Sequence, residues 1–221
     1  MKLLLSKHYL TIIFIILLAV MLLSYRFGSD IFSSDSSNQK KHNTGEILFV
    51  NGSANLQSFL NKVPAEKTTL IKRGQILQTN EKTVALVKLT DQTFLGLSSN
   101  TDVEFTSLLN DKIEIFLKRG RIMITNKSDQ VEFVVNTSFT QNSFYRGLVS
   151  FVNYDFKDEI SVIPFGTEVS TFLEKTKLQM KSSDSINIHE SEPVEYNVFF
   201  FDPESSSEVD FYQWFTEFDN L

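Results

Sequence analysis

The side chains with the widest chemical reach are few and scattered in this sequence. His8, His42 and His189 are its three histidines. They fall in a basic leader, a polar spacer and a predicted loop, so a three-histidine metal site would need unrelated regions to converge. No cysteine is present, which removes a thiol nucleophile, thiolate metal ligation, a disulfide framework and a lipidated cysteine anchor. Asp155, Asp158 and Glu159 make an acidic turn that could touch a cation or a sugar. Their spacing lacks the ligand pattern of a calcium loop and fits a solvated hairpin tip better. Paired carboxylates are numerous, but nothing selects one pair for acid/base work. A glycine-rich phosphate loop, a nucleophile elbow and a locally supported histidine triad are all missing. The sequence therefore predicts no catalytic, cofactor or metal site, and a non-enzymatic chain.

Two groups suit contact rather than catalysis. Lys118, Arg119 and Arg121 flank Gly120, and Lys72 with Arg73 could enlarge that basic patch if the hairpins stack. Such a patch would meet an anionic envelope polymer, lipid headgroups or an acidic protein, or else be an ordinary charged turn. Near the end of the chain, Phe211, Trp214, Phe215 and Phe218 recur at helical spacing. That stripe either docks on the body or forms an exposed, partner-binding helix with acidic surroundings.

Charge is distributed unevenly over the 221 residues. Residues 1–44 hold five Lys or Arg against two Asp, residues 45–189 hold sixteen of each sign, and residues 190–221 hold nine acids and no base. A balanced middle and an acidic end exclude general nucleic-acid binding, which needs a concentrated basic footprint.

Positioning begins with location. Lys2 and Lys7 precede an uncharged run from Tyr9 to Leu23, of which Leu10 to Leu23 is the strongly apolar part. As a helix, the fifteen residues reach about 22 Å, short of a hydrocarbon core of roughly 30 Å. Lys7 and Arg26 can snorkel outward, so spanning is feasible. The bulky stretch Ser24-Tyr25-Arg26-Phe27 disfavours signal cleavage. The expectation is a single-pass anchor with a cytoplasmic N-terminus and a periplasmic or extracellular body, with secretion after cleavage as the alternative. Gly28 to Thr44, rich in Ser, Asp, Asn and Lys, reads as a flexible spacer.

From Gly45 the periodicity is that of strands. Glu46 to Val50, Asn51-Gly52 and Ser53 to Leu60 suggest a hairpin. Thr83 to Thr90 pairs with Thr93 to Leu97 across Asp91-Gln92, with Leu86 and Lys88 on one face and Val87 and Leu89 on the other. Lys112 to Lys118, Arg119-Gly120 and Arg121 to Thr125 read as another hairpin. Gln130 to Asn136, Phe144 to Tyr154, Glu159 to Ile163, Glu168 to Leu173 and Val194 to Phe201 add strands. The predicted fold is all-β, an antiparallel sandwich or barrel-like meander, with an N-terminal transmembrane helix and a short C-terminal helix. The expected domains are residues 1–27 leader and anchor, 28–44 spacer, 45–181 β domain and 182–221 acidic aromatic extension.

The middle of the chain resembles the FecR-type domain. The resemblance rests on Gly45-Glu-Ile-Leu-Phe-Val-Asn-Gly-Ser-Ala54, Leu70-Ile-Lys-Arg-Gly-Gln-Ile-Leu-Gln-Thr79, Ala85 through Thr101, Ile115-Phe-Leu-Lys-Arg-Gly-Arg-Ile122, and Val131 to Thr137. It covers about residues 45–137 and weakens towards 170. Gln92 stands where the family usually has Gly, and Arg146-Gly147-Leu148-Val149 departs from a Gly-Thr-x-Phe step. The resemblance implies an extracytoplasmic β-rich module, and for some members a relay to a sigma factor. Met1 to His8 is too short to fold and embrace a sigma factor. The expected role is thus a tethered, non-catalytic module at the bacterial membrane, binding an envelope protein or anionic polymer. A regulatory or sensory component acting with another membrane protein is the second reading, and an envelope polysaccharide-processing enzyme the third.

Overall fold

A computed structural model describes residues 43–154, 158–173, 176–180, 184–191 and 194–219. The expected anchor, the spacer as far as residue 42, His8, His42 and Asp155 lie outside them. Among the described residues no helix is long and apolar enough to cross a membrane.

The regular structure of the described chain is almost entirely strand. Its elements are β1 (Gly45–Asn51), β2 (Ala54–Gln57), β3 (Lys62–Pro64), β4 (Leu70–Ile71), β5 (Ile76–Thr79), β6 (Val84–Thr90), β7 (Thr93–Leu97), β8 (Asp102–Leu108) and β9 (Lys112–Asn126). These are followed by β10 (Glu132–Asn136), β11 (Thr140–Phe144), β12 (Gly147–Tyr154), β13 (Glu159–Phe165), β14 (Val169–Leu173), β15 (Thr176–Met180), β16 (Ser185–His189) and β17 (Glu195–Phe199). A 3-10 turn at Pro203–Ser205 leads into one helix, α1 (Val209–Asp219).

The strands pair into two sheets that share β9. The first runs β4-β1-β6-β7-β9-β12-β13-β16-β17. The second runs β3-β2-β5-β8-β9-β10-β11-β14-β15. Every pairing is antiparallel except β9 with β10, which is parallel. Residues from both sheets, among them Ile47, Leu77, Leu95, Phe105, Ile115, Phe133, Phe151 and Val162, form one buried cluster. This is a sandwich, and the all-β expectation holds with one parallel pair inside it.

Two expected hairpins are corners instead. The Asn51-Gly52 step carries the chain from β1 in the first sheet to β2 in the second, and those strands do not pair. Likewise β9 is one fifteen-residue strand that bends at Gly120. Lys112 to Arg119 pairs in the second sheet and Gly120 to Asn126 in the first. The reason is visible in the parity of its side chains. Ile113, Ile115 and Leu117 point into the core before the bend, and Ile122 and Ile124 point into it afterwards. Crossing to the opposite sheet reverses which pleat face is inward, so odd positions give way to even ones. Gly120 permits this with φ of +99°. A Cβ there would come within 2.5 Å of the Thr101 Cα, and one at Gly52 within 3.0 Å of the Thr83 Cα. Both corners lie at one end of the sandwich, here the distal end.

At the opposite, proximal end the described chain begins. The Asn43 amide donates to the Leu108 carbonyl at 2.7 Å, and its side-chain amide donates to Asn110 at 2.7 Å.

The outer face of the first sheet is also apolar. Leu86 and Met123 join Phe211, Tyr212 and Phe215 of α1 in a second buried cluster, flanked by Phe49, Phe94, Leu148 and Phe165. The C-terminal extension, residues 182–221, supplies β16, β17 and the helix that covers this sheet.

Candidate interaction surfaces

The basic residues of the sequence are divided by the Gly120 corner. Lys118 Nζ lies 2.9 Å from the Glu104 carboxylate and Arg119 Nε 3.1 Å from that of Asp102, both acids being on β8. Arg121 lies beyond the corner on the outer face of the first sheet, under α1, and is only 9% exposed. Its guanidinium sits 5.4 Å over the Tyr212 ring, and Nη1 donates to Ser206 Oγ at 3.5 Å. Lys72 and Arg73 remain exposed in the turn between β4 and β5, where Arg73 Nε donates to the Thr106 carbonyl at 3.0 Å. The five residues do not form one cationic face for a polyanion: two are paired with acids, one is buried, and two sit at the proximal end.

The helix stripe docks on the body. Phe211 and Phe215 are buried, and Trp214 and Phe218 border them with rings 5.4 Å apart. Phe215 lies over Gly96, where a Cβ would meet its ring at 2.4 Å. Polar contacts fix the start of the helix. Ser98 Oγ donates to the Glu208 carboxylate at 2.8 Å, and the Ser150 and Tyr212 hydroxyls lie 3.3 Å apart. Burial pushes the Tyr212 and Tyr154 phenols above their ordinary range, and the nearby positive charge of Arg121 offsets this in part. Tyr212 escapes a reading based on hydrophobic spacing, because its hydroxyl marks it as polar while its ring fills the core. Beside the helix, Leu48, Leu86, Phe94 and Phe218 line an apolar cleft of about 180 Å³.

A different surface lies at the end of the first sheet. Among the described residues β17 is its last strand and pairs only with β16. Register places Val198 opposite Ile186 and Tyr196 opposite Ile188, so each pair shares a face. Ile186 and Ile188 belong to the main core, whereas Tyr196 is 51% exposed, Val198 62% and Phe200 86%. The inner apolar row thus runs past its cover. On the other face, Phe199 meets Phe201 at 6.4 Å, and Phe201 meets Tyr212 at 5.2 Å. One side of β17 is anchored on the helix while its inner side and its outer edge are open. Around it the chain carries Glu190, Glu195, Asp202 and Glu204 and no base.

Of the titratable groups singled out in the sequence, the structure describes Asp158, Glu159 and His189. His189 Nδ1 lies 3.5 Å from Glu159, joining one predicted loop residue to one member of the acidic turn. Among the described residues no three His, Asp or Glu side chains form a metal-holding group.

These features define an all-β, two-sheet sandwich with a docked helix and an open edge. Its fold is similar to that of a candidate anti-sigma factor from Parabacteroides distasonis, seen in crystal structures at 1.65 and 2.50 Å resolution. The identity is 16% and the TM-score 0.52, covering 57% of this chain and 60% of that one. The chain therefore spans less than two thirds of that protein, and the likeness is one of fold. No family profile matches the chain. No curated protein matches it in sequence.

Proposed function

We propose that this chain is a non-catalytic, membrane-tethered extracytoplasmic module of the FecR-like kind, which binds a basic segment of an envelope protein by strand addition at β17. The observation that carries the reading is the exposed row Tyr196, Val198 and, just past the strand, Phe200, on an edge strand that among the described residues is paired on one side only. An open edge supplies main-chain donors and acceptors, and alternate side chains supply a pocketed face. Nine acids without a base in residues 190–221 select a positively charged partner and oppose pairing with a second copy. The tether is Leu10 to Leu23, and residues 45–137 carry the sequence resemblance.

A regulatory version of this role is supported by the fold it shares with the Parabacteroides distasonis protein, itself described as a candidate anti-sigma factor. In that version, the β17 partner is one half of a relay whose output comes from another membrane protein.

The test uses a photo-crosslinking residue at Val198 in the full chain in intact cells, with the same probe at Glu81 in a distal turn as control. A protein adduct formed from Val198 only, weakened by salt and by Tyr196→Ser, is expected. Adducts no different from those at Glu81 would refute strand addition.

A further inference from the structure

The exposed large apolar residues fall into separate groups, and one has no place in the reading above. Phe59 is 99% exposed and Leu60 82%. They are the two central residues of the β2–β3 turn, closed by the Ser58 amide donating to the Asn61 carbonyl at 2.7 Å and by Ser58 Oγ donating to it at 3.2 Å. Turns of this size favour Gly, Asn, Asp and Pro, because the backbone and not the side chain makes their contacts. Placing Phe and Leu at the tip costs solubility and gives the body nothing, since neither touches its core.

Pairing fixes where the tip points. Gln57 lies opposite Ile76, and Ile76 opposite Glu104. β2 therefore runs parallel to β8, and Phe59 and Leu60 extend in the direction of Leu108, the residue that receives Asn43. The tip thus occupies the proximal end, where residues 1–42 join the body. Exposed Lys62 follows it on β3, and exposed Lys72 and Arg73 stand in the turn before β5, which pairs with β2. Leu70, also exposed, sits opposite Glu46 at the start of β1.

We infer that the Phe59-Leu60 turn inserts into the interfacial region of an anionic phospholipid bilayer, with Lys62, Lys72 and Arg73 against its headgroups. Apolar side chains at the headgroup boundary combined with neighbouring cations form a two-part membrane signal. The inference rests on the tethered reading: the described chain begins at the same end as the apolar tip, so a bilayer that held the preceding residues would be within reach of the tip.

The full chain is reconstituted in vesicles of phosphatidylcholine and phosphatidylglycerol. Trp214→Phe removes the single tryptophan, and Phe59→Trp or Glu81→Trp supplies a new one at the proximal tip or the distal end. Both positions are exposed, so neither change disturbs packing. Brominated lipid is expected to quench and blue-shift emission from position 59 while leaving position 81 as in buffer, and Lys62→Glu with Lys72→Glu should reduce that quenching. Equal, solvent-like emission from both positions in a chain that still floats with the vesicles overturns the inference and leaves the tether standing. A chain that fails to float overturns the tether, and the inference with it.

Discussion

Gly96 and Phe215 offer the sharpest test of how α1 is held. Gly96 lies on β7 in the first sheet, between strands β6 and β9. A methyl group added there would stand 2.4 Å from Phe215 Cδ2 and 2.7 Å from Cε2. The obstacle is a buried ring that would have to shift towards the apolar cleft it borders, so Gly96→Ala should cost about 1–3 kcal/mol as overpacking. Phe215→Ala empties a fully buried position and should cost about 3–5 kcal/mol. In the double variant the methyl of Gly96→Ala no longer meets a ring. Its cost should vanish, leaving a total of about 3–5 kcal/mol and a coupling of about 1–3 kcal/mol relative to additivity.

Urea unfolding reads this cycle. With a slope of about 2 kcal/mol per molar for a body of this size, Gly96→Ala alone should move the midpoint down by roughly 0.5–1.5 M. In the Phe215→Ala background it should move it little. Trp214 is the single tryptophan and its ring lies 5.8 Å from that of Phe211, so its fluorescence reports helix docking independently. Additive costs, within about 0.5 kcal/mol, would refute the claim that the glycine exists to seat the ring.

Three further perturbations address other parts of the body. Gly120→Ala should destabilise by about 3 kcal/mol or more, combining left-handed strain with a clash against the Thr101 backbone, and a urea midpoint equal to the parent's would refute the corner argument. Asn142→Ala should cost about 2–3 kcal/mol, because it strips partners from the buried Thr171 hydroxyl at 2.8 Å and the Val135 carbonyl at 3.2 Å; a loss below about 0.5 kcal/mol would contradict that. Burial holds the Tyr212 phenol above its ordinary range, so the folded state favours the protonated form. Stability from this group is complete below the unfolded pKa and falls as pH rises through the folded one. Melting temperature should therefore drop above about pH 10 and drop less steeply in Tyr212→Phe; parallel profiles would refute the assignment.

Legibility in the sequence followed the simplicity of the environment. β6 and β7 were readable because Val87 and Leu89 face the main core and Leu86 faces the helix cluster, which gives a nearly continuous apolar strand beside a short turn. The two glycine corners read as hairpins in the sequence for a physical reason: local sequence specifies that the chain turns, while only tertiary pairing specifies whether the arms meet edge to edge or across a core. β11 was missed because its inward positions include Thr140 and Asn142, whose buried side chains bond to each other at 2.9 Å. A polar seam inside a sandwich erases the alternation that identifies a strand. Phe211 and Phe215 were legible as a stripe, but docking and partner binding share that pattern. The exposed rows were not legible at all. Val198 and Phe200 look like core residues in one dimension, and Phe59-Leu60 looks like the tail of β2.

The first sheet has Lys72 and Arg73 just beyond one edge strand, β4, and the acids at the other, β17. Eight inter-strand steps lie between β4, beside the beginning of the described chain, and β17, and at about 4.8 Å each they amount to roughly 38 Å before twist is considered. Acids gather around β17, whereas Lys62, Lys72 and Arg73 accompany the proximal tip. An anionic bilayer would attract the second surface and repel the first. The same charge asymmetry that keeps two copies of β17 from pairing would thus hold that edge away from lipid and available to a basic protein strand. Reversing it gives a joint consequence: Glu190→Lys with Glu195→Lys should weaken the Val198 adduct while leaving lipid quenching at position 59 unchanged. Loss of both signals together would mean that the two surfaces are not independent, and would refute this division of labour.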